Sequence, residues 1–156
     1  MGSAMGRLAL ALMLVVAFPR CGLAQGALPQ AVRLHLVSWH DSGDFNNANL
    51  GVARRWNGGL AVGGFCNSYH RPSWYAGLVV PVFAHRAFQL EVMTGAITGY
   101  SQSRPVDLAI VPSLGWRLSP RTSLQVVLMP RVVIPANAVH VMFERRFGSS
   151  AGRSRP

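Results

Sequence analysis

The chain has 156 residues, half of them hydrophobic, and its 15 basic and five acidic side chains give a formal charge of +10. This length corresponds to one domain. After the N-terminal leader no run of 18 apolar residues occurs, which excludes a bundle of transmembrane helices. The chain has no zinc-ligand spacing, Walker loop or dinucleotide fingerprint, so we expect neither a metal nor another cofactor.

Residues 1–24 have the pattern of a secretory signal peptide. A short apolar core, Leu8–Phe18, follows an arginine and precedes the small-residue cleavage site Gly22–Ala24. The core has about eleven residues, whereas a bilayer span needs roughly 20, so an uncleaved anchor is the weaker alternative. We expect Cys21 to leave with the leader. Cys66 is then the one remaining cysteine, which excludes an internal disulfide.

Eight short segments with alternating polarity, bounded by Gly, Pro and Asn, predict β-strands in residues 25–147. Their approximate limits are 32–40, 49–57, 59–68, 74–83, 87–99, 107–118, 122–131 and 137–147. Strands of this number and length predict an all-β, eight-stranded antiparallel up-and-down outer-membrane β-barrel. The polar segment 148–156 predicts a disordered tail.

The connections between these segments alternate in length, as short periplasmic turns and longer external loops do in outer-membrane barrels. With both termini periplasmic, His40, Ser68, Tyr100 and Arg104 are expected near the outer rim. A small soluble lipocalin-like barrel is the alternative architecture. It is disfavoured by a set of apolar side chains suited to facing lipid, namely Leu124, Val126, Leu128, Val139, Val141 and Phe143.

The basic charge alone would allow nucleic-acid binding, but export argues against that partner. An exported basic barrel would instead meet lipid phosphates, which arginine binds bidentately. Arg71 and Arg104, near the predicted outer rim, are candidates for binding the phosphates of a lipid. We expect membrane lipids as partners, no nucleic acid, and a monomer.

Several motifs occur in the order that the lipid A palmitoyltransferase family shows. They are Ser38-Trp39-His40, Cys66-Asn67-Ser68-Tyr69, Ala76-Gly77, Met93–Thr98, Val111–Leu114 and Leu128-Met129-Pro130. From Leu34 to Phe147 the chain resembles that family. The resemblance implies an eight-stranded outer-membrane barrel that transfers an acyl chain from a phospholipid donor to a lipid A acceptor.

The resemblance implies that His40 falls on the family's catalytic histidine and Ser68 on its catalytic serine. Asn67 stands where the family has a catalytic aspartate. An amide can orient a histidine but cannot stabilise an imidazolium as a carboxylate does, and in a serine-protease triad this change costs about 10⁴ in rate. Asp41 or Asp44 would be a substitute. Ser68 would act as nucleophile or as oxyanion donor, and Asn67 would orient His40 or donate to the oxyanion.

Two further features follow from the resemblance. Pro112 and Pro130 match strand prolines that break the barrel's hydrogen bonding and admit lipid sideways. The alternative is that each proline marks a strand end, since proline belongs at edges and bulges. Val79 falls on a glycine that forms the floor of the acyl pocket, so its larger side chain predicts a preference for chains shorter than palmitoyl.

An outer-membrane acyltransferase is therefore the leading functional prediction. A non-catalytic lipid-binding or structural barrel is the alternative, and Asn67 is its main support. A deacylase-type esterase is disfavoured because its late His-x-Ser motif is absent, since Val141 and Met142 follow His140. A nucleophilic Cys66 is disfavoured because the nearby Ser68 already matches the family's catalytic serine.

Overall fold

The computed structural model describes residues 30–129 and 136–147. The predicted signal peptide, Pro130 and the tail 148–156 lie outside the described residues. The eight strands are β1 (Ala31–His40), β2 (Ala48–Arg55), β3 (Leu60–Cys66), β4 (Pro72–His85), β5 (Phe88–Thr98), β6 (Val106–Ser119), β7 (Thr122–Met129) and β8 (Ala138–Arg146).

These strands form one closed barrel in which each pairs antiparallel with its sequence neighbours and β8 pairs with β1. The predicted eight-stranded up-and-down barrel is confirmed. Closure leaves no free sheet edge, which a spanning structure in lipid requires. No helix within the described part of the chain is long and apolar enough to cross a membrane.

The side chains of β7 and β8 point alternately to the inside and the outside of the barrel. Ser123, Gln125 and Val127 are buried inside, while their neighbours Leu124 and Leu128 face outward. Val126, Val139, Val141 and Phe143 also lie on the outer face. The outward placement predicted for these six apolar residues is confirmed, because successive side chains of a strand point to opposite faces.

A β-bulge in β1 changes which residues point inward. The register shifts between His35 and Val37 on both sides of the strand. Before the bulge Arg33 and His35 are buried inside. After it Ser38 is buried, and His40, two residues further on, points to the same face of the strand. A bulge adds one unpaired residue and re-aims the side chains beyond it. This bulge therefore directs His40 into the mouth of the barrel.

A cluster of charged side chains fills the barrel at the end where the short turns lie. Arg33 binds Glu91 and Glu144 at 2.8 and 2.6 Å, and Arg55 binds Glu91 at 2.8 Å. Arg146 contacts the second oxygen of Glu144 at 2.9 Å. The cluster links β1, β2, β5 and β8 across the interior. Both carboxylates are buried and fully paired, as burial of charge requires.

Candidate functional site

The opposite end of the barrel, where the long loops lie, brings together two of the predicted site residues. His40 ends β1, and Ser68 lies two residues beyond the end of β3. The hydroxyl Oγ of Ser68 lies 2.8 Å from Nε2 of His40, although 28 residues separate them. Ser68 is buried and His40 is half-buried. Tyr100 and Arg104 lie at this same end, as predicted.

The second nitrogen of His40 has a partner that the sequence did not suggest. Nδ1 of His40 lies 3.1 Å from the side-chain oxygen of Asn47, in the loop between β1 and β2. An amide oxygen only accepts, so Nδ1 carries the proton and Nε2 is left to accept from Ser68. The arrangement Ser68–His40–Asn47 has the connectivity of a catalytic triad with an amide as its third member.

Asn67 does not contact His40, which differs from its predicted orienting role. Its side chain is fully buried, and its oxygen accepts from the backbone N–H groups of Tyr69 at 2.9 Å and Arg71 at 3.0 Å. Its nitrogen donates to Ser73 Oγ and to the Gly99 carbonyl, both at 2.9 Å. Both N–H donors are used, so the amide also has none left for an oxyanion.

The surroundings of Asn67 explain why an amide occupies this position. The Ser73 hydroxyl donates to the carbonyl of Thr98 at 2.7 Å, so toward Asn67 it can only accept. The carbonyl of Gly99 is also an acceptor. A carboxylate at position 67 would face both acceptors without a proton to share. Gly99 has a φ of +84°, and a Cβ there would lie 2.7 Å from Ser73 Oγ.

Asn67 therefore builds the loop that presents Ser68. Its backbone N–H bonds to the Arg71 carbonyl at 2.8 Å, and His70 N–H bonds back to the Asn67 carbonyl at 3.0 Å. His70 takes a φ of +58°, which is uncommon for a residue other than glycine. This tight turn ends β3 earlier than the alternation predicted. Within this turn Ser68 is buried, and its hydroxyl is directed at His40.

The two aspartates suggested as substitutes do not contact His40. Both carboxylate oxygens of Asp41 accept from Asn137, from its backbone N–H at 3.0 Å and from its side chain at 2.6 Å. These bonds tie the β1–β2 loop to the start of β8. Asp44 is exposed. Asn47 was missed because nothing in a polar loop containing several Asn and Asp residues distinguishes it before the loop is folded.

Aromatic rings pack around the site. Phe45 contacts the His40 ring at a centroid distance of 4.6 Å, and Tyr69 lies 5.6 Å from Phe45. Tyr100 follows at 6.2 Å from Tyr69. Burial raises the pKa of the Tyr100 phenol well above its ordinary value, so this hydroxyl stays protonated at neutral pH. The rings shield one side of the imidazole from water.

A mainly apolar cavity lies inside the barrel, and Ser68, His40 and Asn47 are not among its lining residues. It has an empty volume of about 590 Å³, which includes space open to solvent. Tyr100 is one of its lining residues and connects it to the loop end. Its apolar walls are formed by Phe65, Met93, Ile97, Val111, Val127 and Met142. Such a lining suits a hydrocarbon chain.

Three polar side chains form a bar across this cavity. The Tyr75 hydroxyl lies 3.0 Å from Nε2 of His35, and Nδ1 of His35 lies 2.9 Å from Nε2 of His140. The bar joins β4, β1 and β8. Phe65 stacks on the His35 ring at 4.7 Å and holds it in place. Arg33 also lines the cavity, so polar groups interrupt its apolar wall between the two ends of the barrel.

Val79 does not line the cavity, which differs from its predicted position as the pocket floor. It is buried in the apolar cluster and pairs with Met93, whose side chain does line the cavity. The backbone N–H of Val79 bonds to Gly59 in the β2–β3 turn at 2.8 Å. Val79 therefore lies close to the turn end.

Pro112 lies next to the described pair of β6 and β7 that is nearest the loop end. That pair joins Ser113 to Val127, and β7 is described only as far as Met129. Proline has no N–H to donate to a ladder. The gate predicted at Pro112 and Pro130 stays a prediction, because Pro130 lies outside the described residues. Pro112 is well inside β6, so it does not mark a strand end.

The remaining candidate residues have other surroundings. Arg71 is exposed beside the Ser68 loop, and Arg104 binds Asp107 at 3.0 Å. Cys66 is partly buried, and its sulfur lies 3.7 Å from the Asn46 side-chain nitrogen. No group of three or more potential metal ligands is present among residues 30–129 and 136–147.

No family model and no curated protein matches the chain. Two designed proteins have similar structures. One, described as "De novo design of transmembrane beta-barrels", has a TM-score of 0.56 and 14% identity, and the match covers 79% of this chain and 100% of the design. The other is the solution NMR structure of the de novo designed TMB2.3, with a TM-score of 0.53, 11% identity, and 80% and 100% coverage. At these identities the similarity establishes the fold.

Proposed function

We propose that this protein is an outer-membrane enzyme that transfers an acyl chain from a glycerophospholipid to lipid A or a related lipid. The observation that carries the proposal is the hydrogen-bonded series Ser68–His40–Asn47 at the mouth of a barrel with an apolar cavity. A serine aligned on a histidine of fixed tautomer is the arrangement that activates a hydroxyl for acyl transfer.

The outer surface supports a position in a membrane. Large apolar side chains point outward and are well exposed, among them Leu108 at 78%, Leu50 at 66% and Val52 at 53%. A soluble protein seldom exposes a continuous apolar band of this kind. Trp39 and Trp74 are exposed at the loop end, where an interfacial aromatic belt is expected. The predicted export signal and short turns are consistent with the outer membrane.

In the proposed reaction Ser68 is the nucleophile. Its Oγ attacks the ester carbonyl carbon of the donor phospholipid, and the hydroxyl proton passes to Nε2 of His40. The tetrahedral adduct then collapses, the bond to the glycerol oxygen breaks, and that oxygen takes the proton from His40. A hydroxyl of the acceptor lipid repeats these steps on the acyl-serine and carries the chain away. Asn47 holds the imidazole in the required tautomer throughout.

The position of Pro112 inside β6 supports a route for the donor. Pro112 lies inside β6 and has no N–H to donate to a neighbouring strand, which weakens the ladder at this point of the wall. Unpaired backbone in hydrocarbon is costly, and an acyl chain that entered beside Pro112 would reach its neighbour Val111 on the cavity wall. We propose Pro112 as one side of a lateral gate, with Pro130 as its predicted counterpart.

The polar bar supports the predicted preference for a chain shorter than palmitoyl. An acyl chain that extends from Ser68 into the cavity would meet the hydrogen-bonded series Tyr75–His35–His140. Passing the bar would break buried hydrogen bonds, each costing about 1–3 kcal/mol when a partner is left unsatisfied. We therefore assign the role of the pocket floor to this bar in place of Val79.

The proposal is tested by mass spectrometry of lipid A from a Gram-negative host that lacks its own palmitoyltransferase. Expression of this protein should add one acyl chain, and the mass gained gives the chain length. His40→Ala and Ser68→Ala should abolish the gain, whereas Ser101→Ala, a serine in a neighbouring loop at the same end, should retain it. A folded barrel in the outer membrane that adds no chain would count against the acyltransferase and leave the non-catalytic barrel.

A further inference from the structure

The outer face of the barrel carries two arginines in one register row at the turn end. Arg54 on β2 and Arg145 on β8 both pair with Val32 of β1. All three face outward, because their neighbours Arg33 and Glu144 are buried in the interior cluster. Adjacent strands lie about 4.8 Å apart, so the two arginine backbones are about 10 Å apart with one valine between them.

The charge of this row is not balanced by carboxylates in the described part of the chain. Arg54 and Arg145 are both exposed. Glu91 and Glu144 are buried inside and bound to interior arginines. The three aspartates, Asp41, Asp44 and Asp107, lie at the loop end. The row is therefore a purely cationic patch on a surface that otherwise faces lipid.

The next outward row is entirely apolar. Leu34 of β1 pairs with Val52 of β2 and with Phe143 of β8. Leu34 is 43% exposed and Val52 is 53% exposed. A cationic row thus lies directly beside an apolar row, nearer the end of the barrel. This order matches a phospholipid lying against the wall, with its phosphate at the end and its chains toward the middle.

A third arginine lies beside this row. The carbonyl of Arg121, in the β6–β7 turn, accepts from the backbone N–H of Arg146 at 2.8 Å. Thr122, the next residue, pairs directly with Arg145. Arg121 is exposed. The positive charge therefore continues from β2 across β1 and β8 to the turn before β7.

We propose that this surface binds an acidic glycerophospholipid of the leaflet at the turn end, with the lipid phosphate held by Arg54 and Arg145. Arginine presents a fork of donors that matches a phosphate bidentately. A zwitterionic lipid fits less well, because its ammonium group has no carboxylate on this surface to pair with. The inference rests on the proposed membrane position but not on acyltransferase activity.

Native mass spectrometry of the purified full chain tests this site. The barrel, in detergent, is offered equal amounts of phosphatidylglycerol and phosphatidylcholine with identical acyl chains, and the ratio of the two bound lipids is measured. Arg54→Gln/Arg145→Gln is compared with Arg86→Gln/Arg117→Gln. The control removes the same charge from the same end of the barrel but away from the row. Circular dichroism verifies that each variant retains its β-structure.

The wild type should prefer phosphatidylglycerol. In the Arg54/Arg145 double variant the ratio of bound phosphatidylglycerol to phosphatidylcholine should fall about 30-fold, because two surface arginines are removed. The control should keep most of it. Equal loss in both double variants would show a general effect of charge and overturn the site, as would a wild type without preference. Ser68→Ala should bind as the wild type does, which separates this inference from the proposed reaction.

Discussion

The two ends of the barrel interior both hold polar side chains, but they hold them in opposite ways. At the turn end Glu144 lies between Arg33 and Arg146, at 2.6 and 2.9 Å, and is fully buried. At the loop end Ser68, His40 and Asn47 form a neutral series that reaches the surface. At the turn end the buried carboxylates are already bound by arginines, whereas the Ser68–His40–Asn47 series can gain and pass a proton.

Register shifts occur toward both ends, at Pro81/Phe83 and Arg117/Ser119 near the turns and at His35/Val37 in β1. The ends differ in their side-chain bonds. An ion-pair cluster stabilises the turn end, whereas neutral side-chain hydrogen bonds hold the Ser68 loop at the other end. We infer that the turn end carries stability and the loop end carries chemistry, and four variants test that division.

The largest effect is expected at the turn end. Glu144→Gln removes the carboxylate that binds Arg33 and Arg146 inside the barrel, and breaking a buried ion pair costs about 3–5 kcal/mol. The free energy of unfolding, measured by urea titration in lipid vesicles, should fall by about that amount. Acyl transfer under native conditions should persist with the same chain length. If Glu144→Gln lost activity without losing stability, the assignment of stability to the turn end and chemistry to the loop end would be wrong.

The second variant addresses Asn67. Asn67→Asp would place a carboxylate against the Gly99 carbonyl and the Ser73 hydroxyl, with no proton to donate. Leaving such buried acceptors unsatisfied costs about 1–3 kcal/mol, so the Ser68 loop should open and activity should fall. Asn67→Ala is the control: it loses the same two donors and also the acceptor for the Tyr69 and Arg71 N–H groups, so it should be at least as harmful as the aspartate. Higher activity in Asn67→Asp, measured by lipid A mass spectrometry, would instead assign position 67 to catalysis.

The third variant addresses the orientation of His40. Asn47→Ala removes a neutral hydrogen bond worth about 0.5–1.5 kcal/mol, so kcat should fall by up to about tenfold while KM changes little. Asn47→Asp keeps an acceptor at this point and should restore the rate. The pH profile of kcat should change between these two variants, because a carboxylate stabilises the imidazolium. Identical profiles would make Asn47 a structural residue of the loop.

The smallest effect concerns chain length. His35→Ala removes the centre of the polar bar between Tyr75 and His140, so the acyl chains transferred should become longer at a similar rate. Tyr75→Phe removes one hydrogen bond but leaves the ring in place, and should alter the distribution less. Val79→Gly should leave it unchanged, because Val79 does not line the cavity. If Val79→Gly were the only variant to shift the distribution of chain lengths, Val79 would be the pocket floor.

Much of the architecture was predictable from sequence, because its causes are local. Alternation of apolar and polar residues gave the number and order of the strands and the outward face of β7 and β8. Loop lengths gave the end of the barrel at which His40 and Ser68 meet. The family resemblance named this pair, and the structure places them 2.8 Å apart. Their catalytic role stays a prediction until the lipid A measurement is made.

The details of the site were decided only by tertiary structure. The bulge after His35, the bond from His40 to Asn47, the burial of Asn67 under the loop, and the place of Val79 all depend on register and barrel tilt. Side-chain direction along a strand has a period of two and can be read from the sequence. Which polar atoms meet across a closed barrel depends on how eight strands stagger, and no single segment of the chain encodes that stagger.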